Sequence, residues 1–224
     1  VPKVLRFGRL PDSRRPYLIR ELVQGRSLLS LIERPDADPR ACLVALVHAA
    51  SQLTGLHRAS LLHGDVKPAN IIVSDGGATL VDLGLAAPWR EEGSRPEGLT
   101  PRYAAPELFA GMRITVRAEI FALGATLLDV LEACGEKLDP PVRKSLQAIA
   151  DRAMHADPSQ RHPSTDEIGS AIRLAAGLPD INGTRAVDLA WPIVGVDAAA
   201  NRLLSQIATM VHGSVIALTG KPGS

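Results

Sequence analysis

From Leu43 to Leu56, hydrophobic positions recur at helical spacing: Leu43, Leu46, Val47, Ala50, Leu53 and Leu56. That period predicts a long helix with one buried face. Asp38-Pro39 supplies its start, with Asp as N-cap and Pro in the first turn. A shorter helix opens at Ser27-Leu28-Leu29-Ser30-Leu31-Ile32. The run Ile120 to Leu128 is apolar nearly all round, as a helix enclosed by others must be. Strands are predicted at Val4 to Gly8 and Tyr17 to Ile19, two short runs joined by a polar turn. Ile71-Ile72-Val73, the turn Ser74-Asp75-Gly76-Gly77, and Ala78 to Val81 read as a hairpin. Residues 179–184 are polar and turn-rich, a linker. Beyond it a helical run (Leu203, Leu204, Ile207, Met210) precedes a buried-type strand, Val215 to Thr219, and the chain ends on Gly220-Lys221-Pro222-Gly223-Ser224.

Composition narrows the class. The 224 residues are 46% hydrophobic with a formal net charge of +1. That suffices for one packed domain, and near-neutrality implies neither a nucleic-acid nor a membrane-surface partner. No apolar run approaches membrane-spanning length, so a cytoplasmic location is expected. Cys42 and Cys134 both fall in apolar helical stretches and read as buried thiols rather than a disulfide.

The chemistry lies in the polar positions around the hairpin. Residues 63 to 70 read His-Gly-Asp-Val-Lys-Pro-Ala-Asn, and twelve positions after Asn70 stands Asp82-Leu83-Gly84. Random sequence meets His-x-Asp-x-Lys-x-x-Asn about once in 10⁵ windows. The hairpin returns Asp82 to the edge that holds Asn70. The first motif resembles the catalytic loop of eukaryotic-type (Hanks-type) bacterial serine/threonine protein kinases, and the second their Asp-Phe-Gly metal motif. Gly98-Leu99-Thr100-Pro101-Arg102-Tyr103-Ala104-Ala105-Pro106-Glu107 resembles the end of their activation segment. Ala156 to Pro163 resembles the late segment whose Arg, here Arg161, pairs with that Glu.

The resemblance covers about residues 2 to 178 and implies an α+β, protein-kinase-like fold, a few small-lobe strands over a mainly helical large lobe. The implied organisation is small lobe and hinge over 1–24, large lobe over 25–178, a linker over 179–193, and over 194–224 the start of a P-loop domain. That last part resembles the entry to an AAA-type or signal-transduction ATPase, an ATPase module in cis. Asp65 is implied as the base that orients the acceptor hydroxyl, and Lys67 as the cation on the transferring phosphoryl group. Asn70 and Asp82 are implied as ligands of Mg²⁺, an ion that prefers such hard oxygens. Glu21 and Val23 fall where the hinge backbone would face adenine, and Ser27, Ile72, Asn70 and Asp82 complete the implied ATP site. Lys67 with Thr100 points to Ser/Thr acceptors on a protein substrate.

The pattern has departures. It is entered after the Gly-rich loop, the strand Lys and the helix Glu, so the polypeptide as given reads as a fragment that binds ATP poorly. Gly64 replaces the Arg that commonly precedes the catalytic Asp, so phosphorylation of the activation segment is not expected to be needed. Leu83 replaces Phe, Glu119 stands where the buried helix usually begins with Asp, and Arg20 sits just before the hinge. About ten residues separate Leu131 from Pro141, which predicts a shortened or missing helix after the central one. His63-Gly64-Asp65 is also similar to the motif of aminoglycoside and choline kinases, but those lack the Ala-Pro-Glu segment, its Arg, and a Lys two residues after the Asp. A non-catalytic scaffold is the other alternative; intact Asp65, Asn70 and Asp82 weigh against it.

Overall fold

A computed structural model describes residues 2, 4–9, 16–75, 77–82, 87–88 and 99–179. The chain divides into Val1–Ile181 and Asn182–Ser224, and every described residue lies in the first unit. The expected linker beyond 179, the helical run at 203–210, the strand at 215–219 and the glycine-rich end all fall outside the described residues, as do Leu83 and Gly84.

The amino-terminal ribbon pairs β1 (Val4–Arg9) with β2 (Pro16–Arg20) antiparallel, Phe7 opposite Leu18 and Gly8 opposite Tyr17. Residues 21–24, which belong to no helix or strand, lead to β3 (Arg26–Ser27) and then α1 (Leu28–Ile32). Ser27, predicted as the first helical residue, is the cap: its Oγ accepts the Ser30 N–H at 3.2 Å. Helix α2 (Pro39–Arg58) starts as expected, the Asp38 carboxylate accepting the Arg40 N–H at 2.9 Å. The whole predicted stripe from Leu43 to Leu56 is buried.

After β4 (Leu61–Leu62) and a single 3-10 turn at Pro68–Asn70, the hairpin forms from β5 (Ile71–Ser74) and β6 (Gly77–Leu80). Its register sets Ile71 opposite Leu80, and β3 completes a three-stranded sheet in the order β3-β5-β6. The outer edge of β6 would be left with unpaired peptide groups. Two polar side chains of α2 take them instead. His48 Nδ1 accepts the Ala78 N–H at 2.9 Å. Gln52 donates to the Ala78 carbonyl at 2.7 Å and accepts from Leu80 N at 3.0 Å. A short strand β7 (Ala87–Pro88) pairs with β4.

The remaining described chain is helical: α3 (Pro106–Phe109), α4 (Val116–Cys134), α5 (Pro140–Ala153) and α6 (Thr165–Ala175). Helix α4 is buried nearly all round, as its composition predicts. It passes to α5 through one 3-10 turn, Gly135–Lys137, so no longer helix intervenes there. At Gly124 the two helices meet so closely that an added Cβ would stand 2.6 Å from that of Ala153. The main core joins α2, α4, α5 and α6 to the hairpin through Leu46, Leu53, Ile71, Leu80, Leu123, Leu146 and Ile172. A smaller cluster of Leu62, Ala105, Leu108, Ile114, Ala118 and Phe121 underlies the segment before α4. Cys42 and Cys134 are buried and free, as expected. No helix among the described residues is long and apolar enough to cross a membrane.

Candidate active site

The loop between β4 and β5 carries the acidic and basic groups that the sequence singles out. His63, at its start, is fully buried. Its Nε2–H points to the Val81 carbonyl at 3.0 Å, and its Nδ1 accepts the Asp65 N–H at 3.2 Å. That pair of bonds selects the neutral ring, and burial pushes the His63 pKa down accordingly. Gly64 adopts φ 86, a left-handed conformation that costs a glycine nothing. Its N–H donates to Glu119 Oε1 at 2.7 Å. The other oxygen, Oε2, meets His57 Nε2 at 2.6 Å, and His57 Nδ1 lies 3.3 Å from the Thr165 hydroxyl. The longer Glu at this position therefore reaches the backbone of this loop and leaves neither carboxylate oxygen unpaired.

Asp65 and Lys67 face one another at 2.5 Å, Oδ2 to Nζ. The Thr100 hydroxyl closes a triangle with them, donating to Asp65 Oδ1 at 3.2 Å and accepting from Lys67 Nζ at 3.2 Å. Asn70 stands at the end of the 3-10 turn, where its amide donates to the Asp65 carbonyl at 2.8 Å and to Asp65 Oδ2 at 3.0 Å. With both amide hydrogens committed to Asp65, Oδ1 is the atom Asn70 can offer a cation. The Asn70 carbonyl accepts the Val81 N–H at 2.8 Å, which locks the hairpin base and sets Asp82 beside the loop. Asp82 is exposed and held at φ 67, an uncommon conformation for a residue with a Cβ and one that clusters at functional sites.

A neutral amide oxygen and a carboxylate are hard donors that fit Mg²⁺ when phosphate oxygens and water complete its shell. Among the described residues no group of three or more His, Cys, Asp or Glu could hold a metal alone. The donor set thus suits an ion delivered with a phosphate ligand. Ser27 and Ile72 are brought together as partners across β3 and β5. Glu21 and Val23 lie on the segment that precedes β3, Glu21 exposed and Val23 half-buried.

The segment carrying Thr100 is anchored twice. Glu107 and Arg161 form a two-pronged pair, Nη1–Oε1 at 2.7 Å and Nη2–Oε2 at 2.8 Å, with the guanidinium wholly buried and 5.0 Å from the Phe121 ring centre. Asp129 of α4 is the second anchor, which the sequence reading missed: it accepts from Arg102 Nε at 2.6 Å and from the Tyr103 hydroxyl at 2.7 Å. Its one trace in the sequence is a carboxylate set among the apolar residues Leu127, Leu128, Val130 and Leu131 of α4.

Residues 4–172 match the protein kinase domain family. Serine/threonine-protein kinase PknH of Mycobacterium bovis is 30% identical over 192 residues, covering 73% of this chain and 32% of the relative. PknL of Mycobacterium tuberculosis is 28% identical over 227 residues, 91% of this chain and 55% of the relative. PknE of the same species is 31% identical over 201 residues, 77% and 35%. The chain thus spans about a third to about half the length of these curated relatives. With a family match over most of its length and the loop, hairpin and Glu107–Arg161 pair in place, the chain belongs to the protein kinase domain family.

Proposed function

We propose that the protein transfers the γ-phosphate of ATP to serine or threonine hydroxyls of a protein acceptor, within a larger bacterial signalling regulator. The observation that carries this reading is the Asp65–Lys67–Thr100 triangle: a threonine hydroxyl already sits between a carboxylate that can take its proton and an ammonium. An acceptor hydroxyl entering beside Thr100 would meet the same two groups. Asp65 aligns the hydroxyl and accepts its proton as the bond to phosphorus forms. Lys67 lies against the oxygens on which charge develops. Bound Mg²⁺·ATP supplies the phosphoryl group and offsets its charge. Asn70 and Asp82 would hold the metal, while the Glu21 and Val23 backbone, Ser27 and Ile72 would hold the nucleotide. The Glu107–Arg161 clamp supports a protein kinase over the small-molecule phosphotransferase alternative.

The same reading places the kinase in the cytoplasm, where ATP is, with an ATPase module in cis from residue 194 onward. In this reading the nucleotide or ligand state of that module sets kinase output. The test is to incubate the full-length protein with labelled ATP and a general protein acceptor, then hydrolyse the product. Phosphoserine or phosphothreonine is expected. Label confined to phosphotyrosine or to small molecules contradicts the reading.

A further inference from the structure

We infer that Arg102 is a specificity-determining residue: it fills, from within the chain, a guanidinium socket beside the acceptor position and so denies that socket to a basic residue of the acceptor. The inference rests on the phosphotransfer proposed above. Its starting point is Asp129, a carboxylate 7% exposed in the middle of the apolar helix α4. A charge so placed is costly unless it is paired and fully hydrogen-bonded. Both oxygens are used: Oδ1 accepts from Arg102 Nε at 2.6 Å and Oδ2 from the Tyr103 hydroxyl at 2.7 Å. Glu132 stands three residues further on, hence on the same helix face. It accepts from Arg102 Nη2 at 2.6 Å, and that nitrogen also touches Asp129 Oδ1. Two carboxylates and a phenol thus enclose one planar guanidinium, and the structure itself displays the group that fits.

The socket lies close in the chain to the place proposed for the acceptor hydroxyl. Arg102 is two residues from Thr100, whose hydroxyl touches both Asp65 and Lys67. Two residues span at most about 7 Å. A peptide that presents its hydroxyl at Asp65 and runs along the Thr100–Tyr103 segment would have a flanking residue beside Arg102, which is about half exposed. With Arg102 in place, Asp129 has no unpaired oxygen for an incoming arginine. Glu132 is exposed and offers little by itself. Selectivity against basic acceptors here comes from occupancy rather than repulsion. Without Arg102, Asp129 would keep only the Tyr103 hydroxyl, and an arginine from outside could take the vacated place.

The experiment compares, in the full-length protein, acceptor peptides identical except for Arg or Ala at each position flanking the serine. Wild type should use both with kcat/KM within about twofold. Arg102→Ala should favour the arginine peptide at one flanking position by about tenfold or more, chiefly through KM. Adding Asp129→Asn to Arg102→Ala should return that ratio to near one. A second readout needs no catalysis: millimolar methylguanidinium should raise the melting temperature of Arg102→Ala but not of wild type. If Arg102→Ala does not fold, Arg102→Gln, which keeps a hydrogen bond to Asp129 and drops the charge, serves in both assays. An unchanged peptide ratio with no methylguanidinium shift overturns the inference, as does a wild type that already prefers arginine tenfold. Failure of wild type to phosphorylate any acceptor contradicts the proposed function instead, and the methylguanidinium shift then decides the socket by itself.

Discussion

At Arg161 all five guanidinium hydrogens are spoken for inside the protein. Two go to Glu107, and the others to the carbonyls of His155, Arg117 and Ala156. Removing the arginine strands a nearly buried carboxylate, so Arg161→Ala should cost about 3–5 kcal/mol, while the double change with Glu107→Ala costs less than the sum. A double-mutant cycle by denaturant unfolding measures this; strict additivity contradicts it. Two histidines give a pH dependence. His48 and His63 each accept a backbone N–H at Nδ1, and burial lowers the pKa of both. The folded state therefore resists the proton that the unfolded chain binds below about pH 6.5. Their contribution is intact above that pH and is lost as pH falls toward their lowered folded values. The urea midpoint should drop between pH 7.5 and 5.5, and His48→Asn should flatten the drop. A midpoint that rises on acidification would contradict the assignment. The Glu107–Arg161 pair could be read from its flanking motifs. Asp129's grip on Arg102 could not, because nothing local announces a contact across 27 residues.

At the scale of elements, α2, α4 and the hairpin were legible because each has a period or a turn signal within its own residues. Their mutual seating was not. His48 and Gln52 read as ordinary polar positions of an amphipathic helix, yet they complete the edge of β6. Gln52→Ala should leave the Ala78 carbonyl and the Leu80 N–H without partners and cost about 1–3 kcal/mol by thermal or urea unfolding. A change within a few tenths of a kcal/mol would mean that water replaces the side chain. Strands β4 and β7 are two residues each, too short to carry any pattern. Glu119 was visible as a departure, but its solution was not: His57, on a different helix, takes the oxygen that the Gly64 N–H leaves.

For the molecule as a whole, the loop from His63 to Asn70, the hairpin after it and the anchored segment belong to a protein kinase domain, and what this domain does is the central claim. Control is part of it. Gly64 offers no cation to a phosphate on the segment between Asp82 and Glu107, so the kinase should stay active after phosphatase treatment. Activity lost to phosphatase and restored by a phosphate in that segment would contradict this. The claim that Asp65 is the base of the transfer is tested most directly by the single-turnover rate of the full-length protein saturated with Mg²⁺·ATP, in wild type and Asp65→Asn, with ATP affinity measured in parallel. The account predicts a rate lower by about 10² or more with nearly unchanged ATP affinity. An Asp65→Asn protein that transfers phosphate at the wild-type rate would contradict it.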